Sequence, residues 1–273
     1  MTGSPLPNSI KPILKWAGGK RWLLPRLLEL WQLNRESRLV EPFMGSLSVA
    51  LGLQPDRALL NDANIHLANF YHHLQQGLSV TIAGADGKPF EMKNDRDFYY
   101  EMRARFNQLT REGQSQTSEA ALIFYYLNRT AFNGLCRFNN SGGFNVPFGR
   151  YKTINYATDF SAYQIPLQPW EITCGDFETL KLEPDDFIYA DPPYDVQFTK
   201  YSQDDFTWED QIRLTEWLAK HPGKVVLSNQ ATDRIVNLYE DYGFTIDRVD
   251  APRRISCNGD RRPAKEVIAY KGF

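Results

Sequence analysis

Asp191-Pro192-Pro193-Tyr194 follows directly on the apolar run Phe187-Ile188-Tyr189-Ala190, and that order of residue types suits one kind of chemistry. An exocyclic aromatic amine such as that of adenine is a poor nucleophile, because its lone pair is delocalised into the ring. A catalyst must draw both N–H hydrogens toward acceptors and let the nitrogen pyramidalise as it attacks a methyl donor. Asp191 supplies one acceptor. Two prolines carry no N–H and have a fixed φ, which leaves a neighbouring main-chain carbonyl aimed outward as the second. Tyr194 offers a flat face, on which a base removed from a duplex recovers part of the stacking it loses. A strand closed by a turn would explain the prolines or the tyrosine singly. Acid, double proline and aromatic together, at the end of a buried-type strand where open α/β sheets bind ligands, point to catalysis.

Upstream lies a nucleoside-binding pattern. Phe43 and Gly45 allow a turn in which the backbone approaches a ligand, and Asp62, about 20 residues on at the end of the next strand, can accept hydrogen bonds from both ribose hydroxyls. A cap for a helix starting near Asn64 is the alternative role for Asp62. No full G-x-G-x-x-G is present, and Ala17-Gly18-Gly19-Lys20 lacks both the spacing and the Ser/Thr of a phosphate loop.

These residues need elements to hold them. Trp22, Leu24, Leu27, Leu28 and Trp31 recur at helical spacing; residues 38–43 and 58–62 read as strands, with a helix from Ser46 to Leu53 between them. That is a strand, turn, helix, strand unit of the doubly wound α/β kind. Leu67, Phe70, Tyr71 and Leu74 predict a helix closed by Gly77, and Phe98, Met102, Phe106 and Leu109 another. From Asn128 to Lys152 the helical pattern gives way to Gly134, Asn139-Asn140-Ser141-Gly142-Gly143, Pro147 and Gly149, the composition of a hairpin and loop. Strands resume at Trp170–Cys174, at 187–190 and at Lys224–Ser228, with Thr207 capping a helix. The economical division is a catalytic domain made of residues 1–69 and 159–273, with residues 70–158 inserted.

The hairpin carries the side chains for reading bases. Arg137 can grip guanine O6 and N7 in bidentate fashion, Leu135 can pack on a thymine methyl, and Asn133 has both donor and acceptor capacity. Arg150 and Lys152 suit phosphates, which position without specifying. No acid occurs between Glu119 and Asp159, whereas Arg129, Arg137, Arg150 and Lys152 do; a second basic group comprises Arg253, Arg254, Arg261, Arg262 and Lys265.

In this order the blocks resemble one family, the Dam-like DNA adenine-N6 methyltransferases. They are Lys15-Trp16-Ala17-Gly18-Gly19-Lys20, Glu41-Pro42-Phe43-x-Gly45, Asn61-Asp62, residues 132–137 through 144–152, Gly175-Asp176-Phe177, Asp191–Tyr194 and Ser256-Cys257-Asn258-Gly259. The resemblance implies an S-adenosylmethionine-dependent methyltransferase fold with an inserted helical and hairpin target-recognition domain. It further implies double-stranded DNA as partner, N6 of a flipped adenine as acceptor, and direct in-line transfer without a metal, the leaving group being a neutral thioether. Trp16 and Lys20 are then expected to flank the donor, Asp176 and Phe177 to lie against its adenine, and Lys15, Leu135, Arg137 and Pro147 to read GATC. Core packing for Trp16 and a turn for Asp176 are the plainer roles for these two. The chain departs from the family at three places: Leu47 replaces a second glycine, which weakens the expected close approach of backbone to donor, Phe132 replaces a tyrosine, and Thr130-Ala131 a His-Gly or similar pair. Cytosine-N4 transfer uses similar chemistry, but with Ser more usual in place of Asp191. A protein or RNA amine methyltransferase would not need the hairpin block, nor a non-catalytic DNA-binding module both Asp191 and a donor pocket.

Composition constrains less. The 273 residues are 42% hydrophobic, enough to bury a full core, and 31 basic against 33 acidic side chains give a net charge of −2 that points to no polyanion on its own. Cys136, Cys174 and Cys257 have no metal-ligand or redox spacing and fit a reducing cytosol. The apolar stretch Ala120–Leu127 is far short of the roughly 20 residues that cross a bilayer. A cytoplasmic enzyme, monomeric on DNA and with a cognate restriction endonuclease as a further partner, is the expectation. The segment 195–205 is expected to be a lid.

Overall fold

Strict alternation along short apolar segments dictates a sheet buried on both faces. Leu39, Phe187, Tyr189, Val226 and Ile268 point into one core, while Val40, Ile188, Ala190, Val225, Leu227 and Val267 point into the other. The computed structural model describes residues 10–80, 91–195, 206–251 and 264–273. Among them β1 (Leu39–Glu41), β2 (Ala58–Asp62), β3 (Trp170–Cys174), β4 (Phe187–Ala190), β5 (Lys224–Gln230), β6 (Thr245–Ala251) and β7 (Ala264–Lys271) form one seven-stranded sheet of order β3-β2-β1-β4-β5-β7-β6. The strands from β3 to β5 in that order are parallel, and β7 is antiparallel to both its neighbours. The expected doubly wound α/β architecture is thus present.

Helices cover both faces. One core takes α1 (Leu24–Gln32), α2 (Ala50–Leu53), α3 (Ile65–Gln75), α4 (Arg96–Arg111) and α5 (Ser118–Thr130), with α6 (Ser161–Leu167) beside α3. The other takes α7 (Trp208–Lys220) and α8 (Asp233–Asp241). Thr207 begins α7 with a complete capping box, its hydroxyl accepting from the Asp210 N–H while the Asp210 side chain accepts from the Thr207 N–H. The apolar stretch 120–127 is buried inside α5, and no helix among the described residues is long and apolar enough to cross a membrane.

Two expected boundaries move. The helix expected from Ser46 starts only at Ala50, because Gly45 (φ 46°) and Leu47 (φ 56°) are both left-handed and hold residues 44–48 in a turn. The hairpin starts at Ala131, since α5 keeps helical geometry through Thr130. From there the chain makes a 3-10 turn at Phe132–Gly134 and closes through bridges Ala131 to Phe148 and Phe138 to Phe144. Its tip is built on Asn139, whose Oδ1 accepts from the N–H groups of Ser141 and Gly143 at 3.1 and 2.8 Å. Its base is pinned to α4, where Asn107 exchanges two hydrogen bonds with the Phe144 backbone and the Tyr99 hydroxyl donates to the Val146 carbonyl.

Arg253, Arg254, Arg261, Arg262, Cys257, the Ser256–Gly259 block and residues 196–205 of the expected lid lie outside the described residues.

Candidate active site

Strand order reverses between β1 and β4, so the loops leaving their carboxyl ends diverge to opposite faces and open a crevice. A cavity of about 590 Å³ lies there. Its walls come from the carboxyl ends of four adjacent strands: residues 42–46, 48 and 49 after β1, Asp62 of β2, residues 175–177 after β3 and residues 191–194 after β4, with Trp16 to Lys20 across the mouth. All of the expected donor residues line it, as do Asp191, Pro192, Pro193 and Tyr194.

The turn after β1 is shaped from below. Asp62 Oδ2 accepts from the Gly45 N–H at 3.1 Å and Oδ1 from the Asn64 N–H at 3.0 Å. Burial raises the Asp62 pKa, and these two N–H groups oppose the shift. Asn64 itself caps α3, through the His66 and Leu67 N–H groups, so Asp62 is not needed as the cap. Gly45 lies under the Trp16 indole, and a Cβ there would sit 3.2 Å from its Cδ1. Leu47 adopts a left-handed backbone that a leucine enters only at a cost, and its side chain is buried in the core. Phe43 and Phe177 line the crevice at 5.8 Å between ring centroids. Asp176 is on the rim, gripped by both arms of Arg213 at 2.8 Å; the guanidinium holds its carboxyl below the usual range and also covers the Phe177 ring at 4.4 Å.

At the other end is the tetrapeptide. Lys20 is buried, and its ammonium donates to Asp191 Oδ2 at 2.8 Å and to the Gly18 carbonyl at 2.7 Å, 4.8 Å from the centre of the Tyr194 ring. Asp191 Oδ1 accepts from the Ser228 hydroxyl at 2.8 Å. Each carboxylate oxygen has two lone pairs, so these bonds leave acceptor capacity for an amine. Tyr194 is half-buried with its face on the cavity, and its hydroxyl donates to Glu266 Oε2 at 2.7 Å. Burial, with Asp191 and Glu266 nearby, raises its pKa and keeps it a neutral phenol.

Sequence reasoning missed several participants. Glu41, 2% exposed, lines the cavity floor; its Oε1 accepts from the Ala50 N–H at 2.7 Å, and burial pushes its pKa up to about 8. Its place in the block Glu41-Pro42-Phe43 was the available signal. Arg213, Ser228 and Glu266 lie on elements distant in sequence and gave none.

The side chains expected to meet bases occupy the hairpin. Asn133, Arg137, Pro147, Arg150 and Lys152 are exposed, as is Phe132, while Leu135 is half-buried. Arg137 is steadied by Nε donation to Asn145 Oδ1 at 2.7 Å. Lys15 lies beneath, its ammonium 4.0 Å from the centre of the Tyr151 ring and its stem packed against Gly134, where a Cβ would meet Lys15 Cδ at 2.5 Å. Burial and the Arg129 charge lower the Lys15 pKa. Arg129 is not part of the exposed basic face: its guanidinium turns inward to the carbonyls of Ile13 and Asn155, and burial lowers its pKa.

Comparison with known proteins agrees with this arrangement. Residues 16–255 match the family model described as D12 class N6 adenine-specific DNA methyltransferase. The retron Ec67 DNA adenine methylase of Escherichia coli is 36% identical over 95% of this chain and 91% of its own length. The type II methyltransferase M.MjaIII of Methanocaldococcus jannaschii is 34% identical over 93% of this chain and 95% of its own. The DNA N-6-adenine-methyltransferase of Escherichia phage P1 is 35% identical over 92% of this chain, which spans only 34% of that longer protein. The chain belongs to the D12 class of N6 adenine-specific DNA methyltransferases.

Proposed function

We propose that the chain methylates N6 of an adenine extruded from double-stranded DNA, with S-adenosylmethionine as donor and GATC as target. One observation carries the reading: the Asp191–Tyr194 stretch and the nucleoside-binding pattern of Gly45 and Asp62 line the same cavity at the reversal of strand order. Its volume falls in the range of about 300–1,000 Å³ typical of small-molecule sites. The residues lining the cavity fit the group: the Asp62 carboxylate would hold the ribose hydroxyls, and Phe43, Phe177 and Trp16 would provide apolar walls for the rest of the donor. S-adenosylmethionine, when bound, would supply a methyl group from a sulfonium, leaving a neutral thioether.

The chain's own residues do the rest. Tyr194 stacks the extruded base, Asp191 accepts one amine hydrogen, and a proline carbonyl takes the other. The Pro193 carbonyl is engaged by Gln211 Nε2 at 2.8 Å, and we assign that task to Pro192. Asp191 passes the proton released on transfer to solvent. Lys15, Asn133, Leu135, Arg137 and Pro147 read bases, and Arg150 and Lys152 hold phosphates. Residues 70–158 form the target-recognition insertion, and residues 1–69 with 159–273 the catalytic domain. The enzyme acts as a cytoplasmic monomer on DNA, and the name of the type II relative supports a restriction endonuclease cutting the same site as its partner.

The test is incubation with unmethylated genomic DNA and labelled donor, followed by nucleoside mass spectrometry and single-molecule mapping of modified bases. N6-methyladenine at GATC is expected, and Asp191→Ala should abolish it while duplex affinity is largely kept. N4-methylcytosine, another motif, or full turnover by the variant would each overturn the corresponding part.

A further inference from the structure

Three polar side chains beside the tetrapeptide are sealed from solvent: Ser228 and Asn229 on β5, both 0% exposed, and Gln211 on α7, 1% exposed. Buried hydroxyls and amides destabilise a fold unless hydrogen-bonded, so the partners of these three show what they are for. Ser228 and Asn229 are successive strand residues and leave opposite faces of the sheet.

On one face, the Ser228 hydroxyl is 2.8 Å from Asp191 Oδ1 and 3.0 Å from the Tyr189 hydroxyl. Paired with the Lys20 ammonium, the Asp191 carboxylate only accepts. The Ser228 proton therefore points at Asp191, and Tyr189 donates in turn to Ser228. On the other face, Asn229 Nδ2 donates to Gln211 Oε1 at 3.0 Å and to the Tyr239 hydroxyl at 2.9 Å. This fixes the Gln211 amide with its Nε2 toward the Pro193 carbonyl. One strand thus braces the tetrapeptide at two points, the Asp191 carboxylate and the Pro193 main chain.

The two grips on Asp191 differ in kind. Lys20 reaches Oδ2 with a flexible four-carbon stem from the donor side of the cavity, whereas Ser228 reaches Oδ1 with a short side chain from the interior of the sheet. A ligand that draws the ammonium away would leave the carboxylate held at Oδ1 by Ser228.

We propose that Ser228 is the positioning residue of Asp191, and that Asn229, through Gln211, positions the proline carbonyls. This rests on the reading of Asp191 as the amine acceptor. Neither Ser228 nor Asn229 need touch substrate. Their effect is on orientation, where a displacement of about 1 Å can cost 100-fold in rate.

The experiment compares wild type, Ser228→Ala, Ser228→Thr and Gln211→Met in single-turnover methylation of duplex DNA at saturating donor, with donor and duplex dissociation constants measured in parallel. Ser228→Ala and Gln211→Met should each lose about 10- to 100-fold in rate with both dissociation constants within about threefold of wild type. Ser228→Thr, which keeps the hydroxyl, should recover to within about threefold of the wild-type rate. A wild-type rate in Ser228→Ala, a rate loss matched by equal loss of donor affinity, or a threonine variant as slow as the alanine one would overturn the Ser228 assignment. Gln211→Met at full rate would overturn the second brace. A wild-type protein that forms no N6-methyladenine would overturn the reading beneath both, an outcome distinct from the others because no variant is needed to see it.

Discussion

Replacing Glu41 by glutamine should remove a pH dependence of stability that a single buried carboxyl imposes. Glu41 sits at the end of β1 with 2% of its surface exposed, and burial moves its pKa from 4.5 to about 8, the Ala50 N–H opposing the shift and the Asp191 charge adding to it. Because the folded-state value is raised, the native protein retains a proton that the unfolded chain releases. The stability linked to this proton is fully present below pH 4.5 and is lost as pH rises to about 8. Three and a half units at about 1.4 kcal/mol each set an upper bound on the order of 5 kcal/mol, of which roughly 4 falls between pH 5 and 8. Glu41→Gln puts in its place an amide that is neutral at every pH and still accepts the Ala50 N–H. Urea unfolding of both proteins at pH 5, 6, 7 and 8 reads the difference. The variant should gain on wild type with a slope approaching 1.4 kcal/mol per pH unit, so that it is the more stable protein at pH 8. Parallel stability curves would show that Glu41 titrates alike in both states and that the reasoning from its burial is wrong.

Leu47→Gly relieves a left-handed backbone worth about 1–2 kcal/mol but strips a buried leucine, whose loss to alanine alone costs about 3–5 kcal/mol; the net should be destabilisation by roughly 1–4 kcal/mol in denaturant titration. A stabilised variant would mean that the side chain does not offset the strain. Arg137→Ala should relax discrimination at one base pair of the target by about 1–3 kcal/mol, measured by competition between duplexes that differ at single positions. Lys152→Ala should instead weaken all duplexes alike and lower the salt slope of binding by about 1.

Those parts of the fold set by local pattern were readable from the chain. β1, β2 and β4 announce themselves as short apolar runs stopping at polar or turn residues, β3 as the alternating Trp170-Glu171-Ile172-Thr173-Cys174, and the Thr207–Asp210 capping box is written in two side chains three apart. Where distant contacts decide, the pattern was silent. β6, Thr245-Ile246-Asp247-Arg248-Val249-Asp250-Ala251, breaks the alternation of a strand with three charged residues at the sheet edge, and α6 carries Pro166 inside, so neither resembles a free-standing element. The start of α2 was misplaced because Leu47 takes a conformation that its residue type argues against. At the site, the tetrapeptide and the Gly45–Asp62 pattern were legible because each is local. Their supports were not: Lys20 meets Asp191 across 171 residues, and Ser228 across 37.

Among the described residues β6 pairs with the sheet only through β7, which enters between it and β5. Vectorial synthesis delivers β6 before β7, so β6 has α8 to pack against but no strand partner while the flank of β5 stays open to mispairing. β7 also brings Glu266, which takes the Tyr194 hydroxyl from 72 positions away. The strand that seals the sheet is therefore also the one that seats that ring, and neither contact exists before β7 has been made.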